Sequence, residues 1–133
     1  MPSITEAVSF SSHGVLPAIV QDYDTGEVIV FGYMNPEALE KTAETGLTHL
    51  YNRQEKDLKP YGEDSGRVQH VKSIHLSKDS DSILIKVTQS FPPDQPRPRS
   101  KFNLRWRPES SSWVEESERG FTPQPSTPQQ RTD

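Results

Sequence analysis

Two apolar runs joined by a three-residue turn constrain this chain most. Residues 16–22 and 27–34 are rich in β-branched and aromatic side chains, and Asp24-Thr25-Gly26 between them supplies what a tight reversal needs. The pair predicts a β-hairpin. Because 27–34 is almost continuously apolar, with no alternation, it is expected to be central in its sheet and covered on both faces. Asn35-Pro36-Glu37 then ends the strand and starts a helix: Asn35 can cap, Pro36 suits the first helical position, and Glu37 complements the positive end of the dipole. Ala38, Leu39 and Thr42 fall on one helical face, and Gly46 supplies a left-handed stop.

Further on, residues 47–53 predict a strand, as do 67–76 and 82–89, the last two joined by the polar turn Ser77-Lys78-Asp79-Ser80-Asp81. A regular strand over 67–76 would place His70 and His75 on opposite faces. Four prolines between Phe91 and Arg99 break any ladder, and 100–107 is expected to rejoin the sheet as its last strand. The fold class expected is therefore α+β, a small mixed or antiparallel sheet with one short helix.

Only 30% of the 133 residues are apolar, and after Arg107 the apolar side chains are Trp113, Val114 and Phe121. One domain over residues 1–107 is expected, followed by a mostly disordered tail over 108–133 in which Trp113 and Val114 can dock locally. A formal net charge of −4 argues against a polyanion-binding surface. No apolar run has membrane-spanning length and the N-terminus has no leader pattern, so the expectation is a cytoplasmic protein with neither nucleic acid nor membrane as partner. The complete absence of cysteine excludes disulfides, thiolate zinc sites and cysteine nucleophiles together.

Several segments carry a resemblance in order along the chain. Leu16-Pro17-Ala18-Ile19-Val20-Gln21-Asp22, Tyr33-Met34-Asn35-Pro36-Glu37-Ala38-Leu39, Thr45-Gly46, Tyr51-Asn52-Arg53 and residues 62–71 resemble phosphoribosyl-AMP cyclohydrolase of histidine biosynthesis. The resemblance implies that family's fold and an intertwined homodimer. In its glycine-glutamate-threonine-serine-glycine loop Gly62, Glu63, Ser65 and Gly66 match and Asp64 replaces the threonine; Gln69 matches on the strand that follows. Glycines at both ends let backbone N–H groups approach an anion, and Ser65 can donate to a phosphate oxygen. The family's tryptophan and lysine before the loop align with Lys59 and Tyr61.

The same resemblance implies a zinc held by three cysteines and a magnesium held by acids, and here the sequence departs from it. Lys78, Asp94 and Lys101 stand where the cysteines would be, and Ser77 replaces the first acid. Asp79 and Asp81 remain as residual metal candidates, although acids in such a turn are more often turn formers. No other residues show a local zinc-ligand spacing, so no cofactor is expected.

These losses lead to a functional expectation of a metal-free enzyme on the cyclohydrolase fold, repurposed for cyclisation, dehydration or isomerisation of another small molecule, as in secondary metabolism. Glu63, Asp64, His70, His75, Asp94 and Tyr61 are the candidate acid–base or orienting groups. Gly62, Ser65, Gly66, Gln69, Arg53, Lys78 and Lys101 are the candidate ligand contacts. The alternatives are a non-catalytic binding or regulatory homodimer and retained phosphoribosyl-AMP hydrolysis.

Overall fold

The computed structural model describes residues 3–52, 59–63, 67–89 and 100–116. Strand β1 (Leu16–Asp22) pairs antiparallel with β2 (Val28–Met34), as the turn residues predict. Asp22 Oδ2 accepts from the backbone N–H and the hydroxyl of Thr25, at 2.8 and 2.9 Å, and Gly26 takes φ +81°. Helix α1 (Pro36–Thr45) follows, with Asn35 Oδ1 accepting the Ala38 N–H at 2.8 Å and Gly46 closing the last turn at φ +76°. Strands β3 (Gln69–Leu76) and β4 (Ile83–Gln89) complete a four-stranded sheet in the order β2-β1-β4-β3, mixed because β1 and β4 run parallel.

The sheet is rolled. The Thr48 N–H donates to Gln69 C=O at 3.1 Å, which puts Thr48 on the free edge of β3, while the Tyr51 N–H reaches Tyr33 C=O at 2.8 Å on the free edge of β2. In a flat sheet those two positions would lie about 24 Å apart, five interstrand spacings. Three residues of chain reach at most about 11 Å. Segment 46–51 therefore acts as a stave joining the two edges, and Leu50 packs so closely on Gly32 that a Cβ there would meet its Cδ1 at 3.0 Å.

Inside the roll lie Leu16, Ala18 and Val20 of β1, Val30 and Met34 of β2, and Ile83, Ile85 and Val87 of β4, closed over by Ala38 and Leu39 of α1. The outer face carries Phe31 and Tyr33, 43% and 46% exposed. Strand β2 is thus an edge strand, in contrast to the central position its composition suggests. Its apolar residues divide between the core and this outer face, which is why the run shows no polar alternation.

A bulge corrects the expected orientation of the histidines. Val71 pairs with Val87 but Ser73 pairs with Lys86, so Lys72 is an extra residue and the parity of the strand changes there. His70 opposite Thr88 and His75 opposite Leu84 consequently share the outer face, and Ser73 Oγ lies 2.9 Å from His75 Nε2.

Residues 100–107 do not rejoin the main sheet as a strand. Ser100 and Lys101 bond to the edge of β2, Ser100 Oγ to Val28 C=O at 2.6 Å and Lys101 N–H to Ile29 C=O at 2.8 Å. The chain then forms a separate hairpin of β5 (Leu104–Arg107) and β6 (Ser112–Glu115), with Trp106 directly opposite Trp113 and their rings in edge contact at 5.4 Å. The expected domain boundary after Arg107 falls inside this hairpin, and residues 117–133 lie outside those described. No helix among the described residues is long and apolar enough to cross a membrane.

The cap generates a measurable expectation. Asn35→Ala should lower the unfolding free energy by about 1 kcal/mol, the usual cost of deleting a bonded cap. Urea unfolding checks it, with a shifted midpoint and an unchanged slope.

Candidate functional site

The rolled sheet leaves an opening where β2 meets the stave. A cavity of about 1250 Å³ lies there, lined by Phe31, Gly32 and Tyr33 of β2, by Leu50, Tyr51 and Asn52, and by residues 59–63, with Ser11, His13 and Val15 on the N-terminal side. Its size suits a small organic molecule. His13 sits in a loop closed by Ser11, whose C=O accepts from Gly14 N–H at 2.8 Å with Gly14 at φ +78°.

Residues 60–63 are held by backbone bonds. Tyr61 N–H donates to Thr48 C=O at 2.7 Å and Glu63 N–H to Pro60 C=O at 3.1 Å, so the wall hangs from the stave. Gly62 has φ +83°, and an added Cβ would meet the carbonyl carbon of Arg67 at 2.9 Å. Only glycine fits where the Arg67 N–H closes back on Gly62 C=O at 2.9 Å. Tyr61 is half-buried and packs against the core, and burial raises its hydroxyl pKa above the ordinary tyrosine value. The hydroxyl therefore stays protonated at neutral pH and can donate. Glu63 is exposed at the rim.

Gln69 is placed differently from the wall. Its side chain is fully buried on the inner face of the sheet, and among the described residues neither its Oε1 nor its Nε2 has a hydrogen-bond partner. Thr48 Oγ1, on the neighbouring stave, is likewise buried without one. Each such atom costs about 1–3 kcal/mol when left unsatisfied. Gln69 and Thr48, joined by a backbone bond, thus put a polar spot in the apolar interior, and Thr48 C=O is the group that holds Tyr61 N–H.

The other expected site residues are not gathered at the cavity. His70 and His75 lie on the outer face of β3 and are absent from the described lining. Lys78 and Asp79 are exposed in the β3–β4 turn, and Asp81 is tied into that turn by Ser77 Oγ donating to its Oδ1 at 3.0 Å. Lys101 is exposed with its N–H on the edge of β2, away from the described lining. Arg53, Asp64, Ser65, Gly66 and Asp94 lie outside the described residues.

Sequence reasoning missed His13, Tyr51 and Asn52 as lining residues and Thr48 as the partner of the Gln69 region. For His13 the one available signal was the Ser11-Ser12-His13-Gly14 turn; for Thr48 there was none, because its importance comes from pairing with a residue 21 positions away.

A concave site at the seam of a small α+β roll, walled by a glycine-hinged loop, defines the class of protein as one built around a small-molecule pocket. The family model for phosphoribosyl-AMP cyclohydrolase matches residues 30–93. A phosphoribosyl-AMP cyclohydrolase of Clostridium botulinum (strain 657 / Type Ba4) is 43% identical over 93 residues, covering 69% of this chain and 84% of its own length. One from Bacillus cereus (strain ATCC 10987 / NRS 248) is 51% identical over 81 residues, 61% of this chain and 80% of its own. One from Haloquadratum walsbyi (strain DSM 16790 / HBSQ001) is 45% identical over 83 residues, 62% of this chain and 63% of its own, so the match spans less than two thirds of that relative. The chain belongs to the phosphoribosyl-AMP cyclohydrolase family, a family of enzymes.

These relatives correct the functional expectation. An enzyme repurposed for cyclisation, dehydration or isomerisation of another molecule, metal-independent and in secondary metabolism, finds no support in proteins 43–51% identical that carry the cyclohydrolase name. They favour the retained family reaction over that reading and over a non-catalytic dimer. The thiolate zinc implied by the resemblance does not fit the residues present: the chain has no cysteine, and among the described residues no three His, Asp or Glu side chains gather as a metal-binding group. His49, which has the right chemistry, is buried with its Nδ1 2.9 Å from Leu47 C=O.

The orphaned amide makes a clear prediction. Gln69→Leu removes both unsatisfied atoms at similar volume, so the melting temperature should stay the same or rise. A loss of more than about 2 kcal/mol in thermal or urea unfolding would show that the amide is satisfied inside the folded protein, for instance by a buried water.

Proposed function

We propose that this chain binds phosphoribosyl-AMP in the cavity at the β2 seam and opens its purine ring by hydrolysis, as part of histidine biosynthesis. The observation that carries the reading is that the cavity wall from Val30 to Glu63 falls inside the segment matching the family model. Adding water to a ring carbon and breaking the ring C–N bond needs a base to take a proton from water and an acid to give one to the departing nitrogen. Glu63 at the rim is the candidate base, and the protonated Tyr61 hydroxyl is the candidate acid. Lys59 adds a positive charge at the same cavity and His13 a hydrogen-bonding ring, suited to a substrate whose name specifies two phosphorylated riboses. No step is routed through a metal, because the chain has no cysteine and the described residues gather no metal-binding group.

The assay is hydrolysis of phosphoribosyl-AMP by the purified chain, followed by the change in ultraviolet absorbance as the ring opens. Glu63→Gln should lower kcat about a hundredfold or more with a smaller change in KM, and Tyr61→Phe should lower it less. Absence of turnover by the unaltered chain, with and without added divalent metal, would overturn the proposal.

The homodimer belongs to the same proposal. A two-stranded hairpin is marginal unless it packs against something, and the β5–β6 hairpin presents Leu104, Trp106 and Trp113 on one face, Trp113 being 64% exposed. The outer face of the main sheet offers Phe31 and Tyr33, exposed where they also line the cavity, so a partner docked there borders the substrate site. Two aromatic surfaces exposed among the described residues of one chain are complementary to each other in a second copy. Sedimentation should give twice the chain mass of 15.1 kDa, and Trp106→Ser with Trp113→Ser should give the monomer. A monomeric unaltered chain at micromolar concentration would rule this part out.

A further inference from the structure

We propose that the backbone N–H and C=O of Phe31 read the amino-bearing edge of a purine base at the seam of the roll. The inference rests on the cavity at that seam being the nucleotide site. It begins with the register of β1 and β2. Pro17 lies opposite Tyr33 and has no N–H to give, so that pair is of the non-hydrogen-bonded kind, and the Tyr33 C=O points away from β1 to accept from Tyr51. Phe31, two residues earlier in a regular stretch, points its N–H and C=O the same way.

That outward edge is closed on both sides of Phe31. The Tyr51 N–H bonds to Tyr33 C=O, and the Lys101 N–H bonds to Ile29 C=O. Between these two closures lies Phe31, a lining residue of the cavity whose outward N–H and C=O meet no backbone partner among the described residues. Four residues of strand span about 13 Å, with both ends occupied, so there is no length for an added strand to pair. A planar heterocycle offering one donor beside one acceptor fits the gap.

The chemistry of the surroundings selects which heterocycle. One residue's N–H and C=O present the same adjacent donor and acceptor as a carboxamide, which pairs with the amino group and N7 of adenine. Tyr33, Tyr51 and Tyr61 line the same cavity and supply ring faces for stacking. The edge contact of the Phe31 and Tyr33 rings, 5.3 Å between centroids, holds that part of the wall in place. His13 and Lys59 in the lining suit a phosphate attached to the base through its ribose.

The test uses the full chain labelled with ¹⁵N and titrated in parallel with AMP, IMP and ribose 5-phosphate. In IMP the exocyclic donor is replaced by a carbonyl acceptor, which would meet the Phe31 carbonyl head-on. AMP should shift the Phe31 amide resonance and bind about tenfold or more tightly than IMP, the scale of a bidentate base contact. Ribose 5-phosphate should leave the Phe31 resonance in place. Equal affinity for AMP and IMP, or a Phe31 amide unmoved by saturating AMP, overturns the proposal. So does an equal shift with ribose 5-phosphate. Turnover of phosphoribosyl-AMP without AMP–IMP discrimination would overturn this inference alone; discrimination without turnover would sustain it and remove only the hydrolytic reading.

Discussion

The backbone bond from Tyr51 N–H to Tyr33 C=O is the constraint on which the rest of the molecule depends. Together with the Thr48–Gln69 bond three residues earlier, it ties the free edges of β2 and β3 to one short stave. A rolled sheet follows, and with it an enclosed interior that one ten-residue helix is enough to cap. A flat four-stranded sheet with the same single helix would leave much of its apolar face in water. At about 25 cal/mol for each Å² of apolar surface, such exposure would cost more than the small domain's net stability.

The same closure makes the cavity. Where the stave meets β2, Leu50 packs over Gly32, and both line the cavity with Phe31. Residues 60–63 are then hung from the outer side of the stave through Tyr61 and Thr48. The site is therefore a by-product of rolling: its floor is a strand edge and its wall is a loop whose one compulsory residue is Gly62. Glycine is needed there for a stated reason, the close return of Arg67, and this tight turn fixes Tyr61 and Glu63 beside it.

What could be read from the sequence follows from how local each feature is. The β1–β2 reversal, the Asn35 cap and the Gly46 stop are set by residues within a few positions of one another, and each stands where the sequence places it. The edge position of β2, the Lys72 bulge and the β5–β6 hairpin depend on partners far along the chain. An extra residue in a strand leaves no compositional mark, so His70 and His75 could not be assigned to one face without the register. Of the candidate residues named from the sequence, Tyr61, Gly62 and Glu63 line the cavity. Gln69 was legible as a residue but not as a buried one, since its inward direction depends on pairing with Gln89.

The family relationship and the absent cysteines pull in different directions, and the wall of the cavity shows how both can hold. The resemblance places an aromatic residue and then a cation ahead of the glycine loop, whereas this chain has the cation first, at Lys59, and the ring second, at Tyr61. Both still line the cavity. Exchanging them keeps one ring and one positive charge on the wall. A substrate with a flat base and flexible phosphorylated riboses can follow such an exchange, because stacking and charge pairing are tolerant of position in a way that metal coordination is not. Binding chemistry can thus persist through substitutions that remove a metal's ligands, and the two properties are separable by measurement.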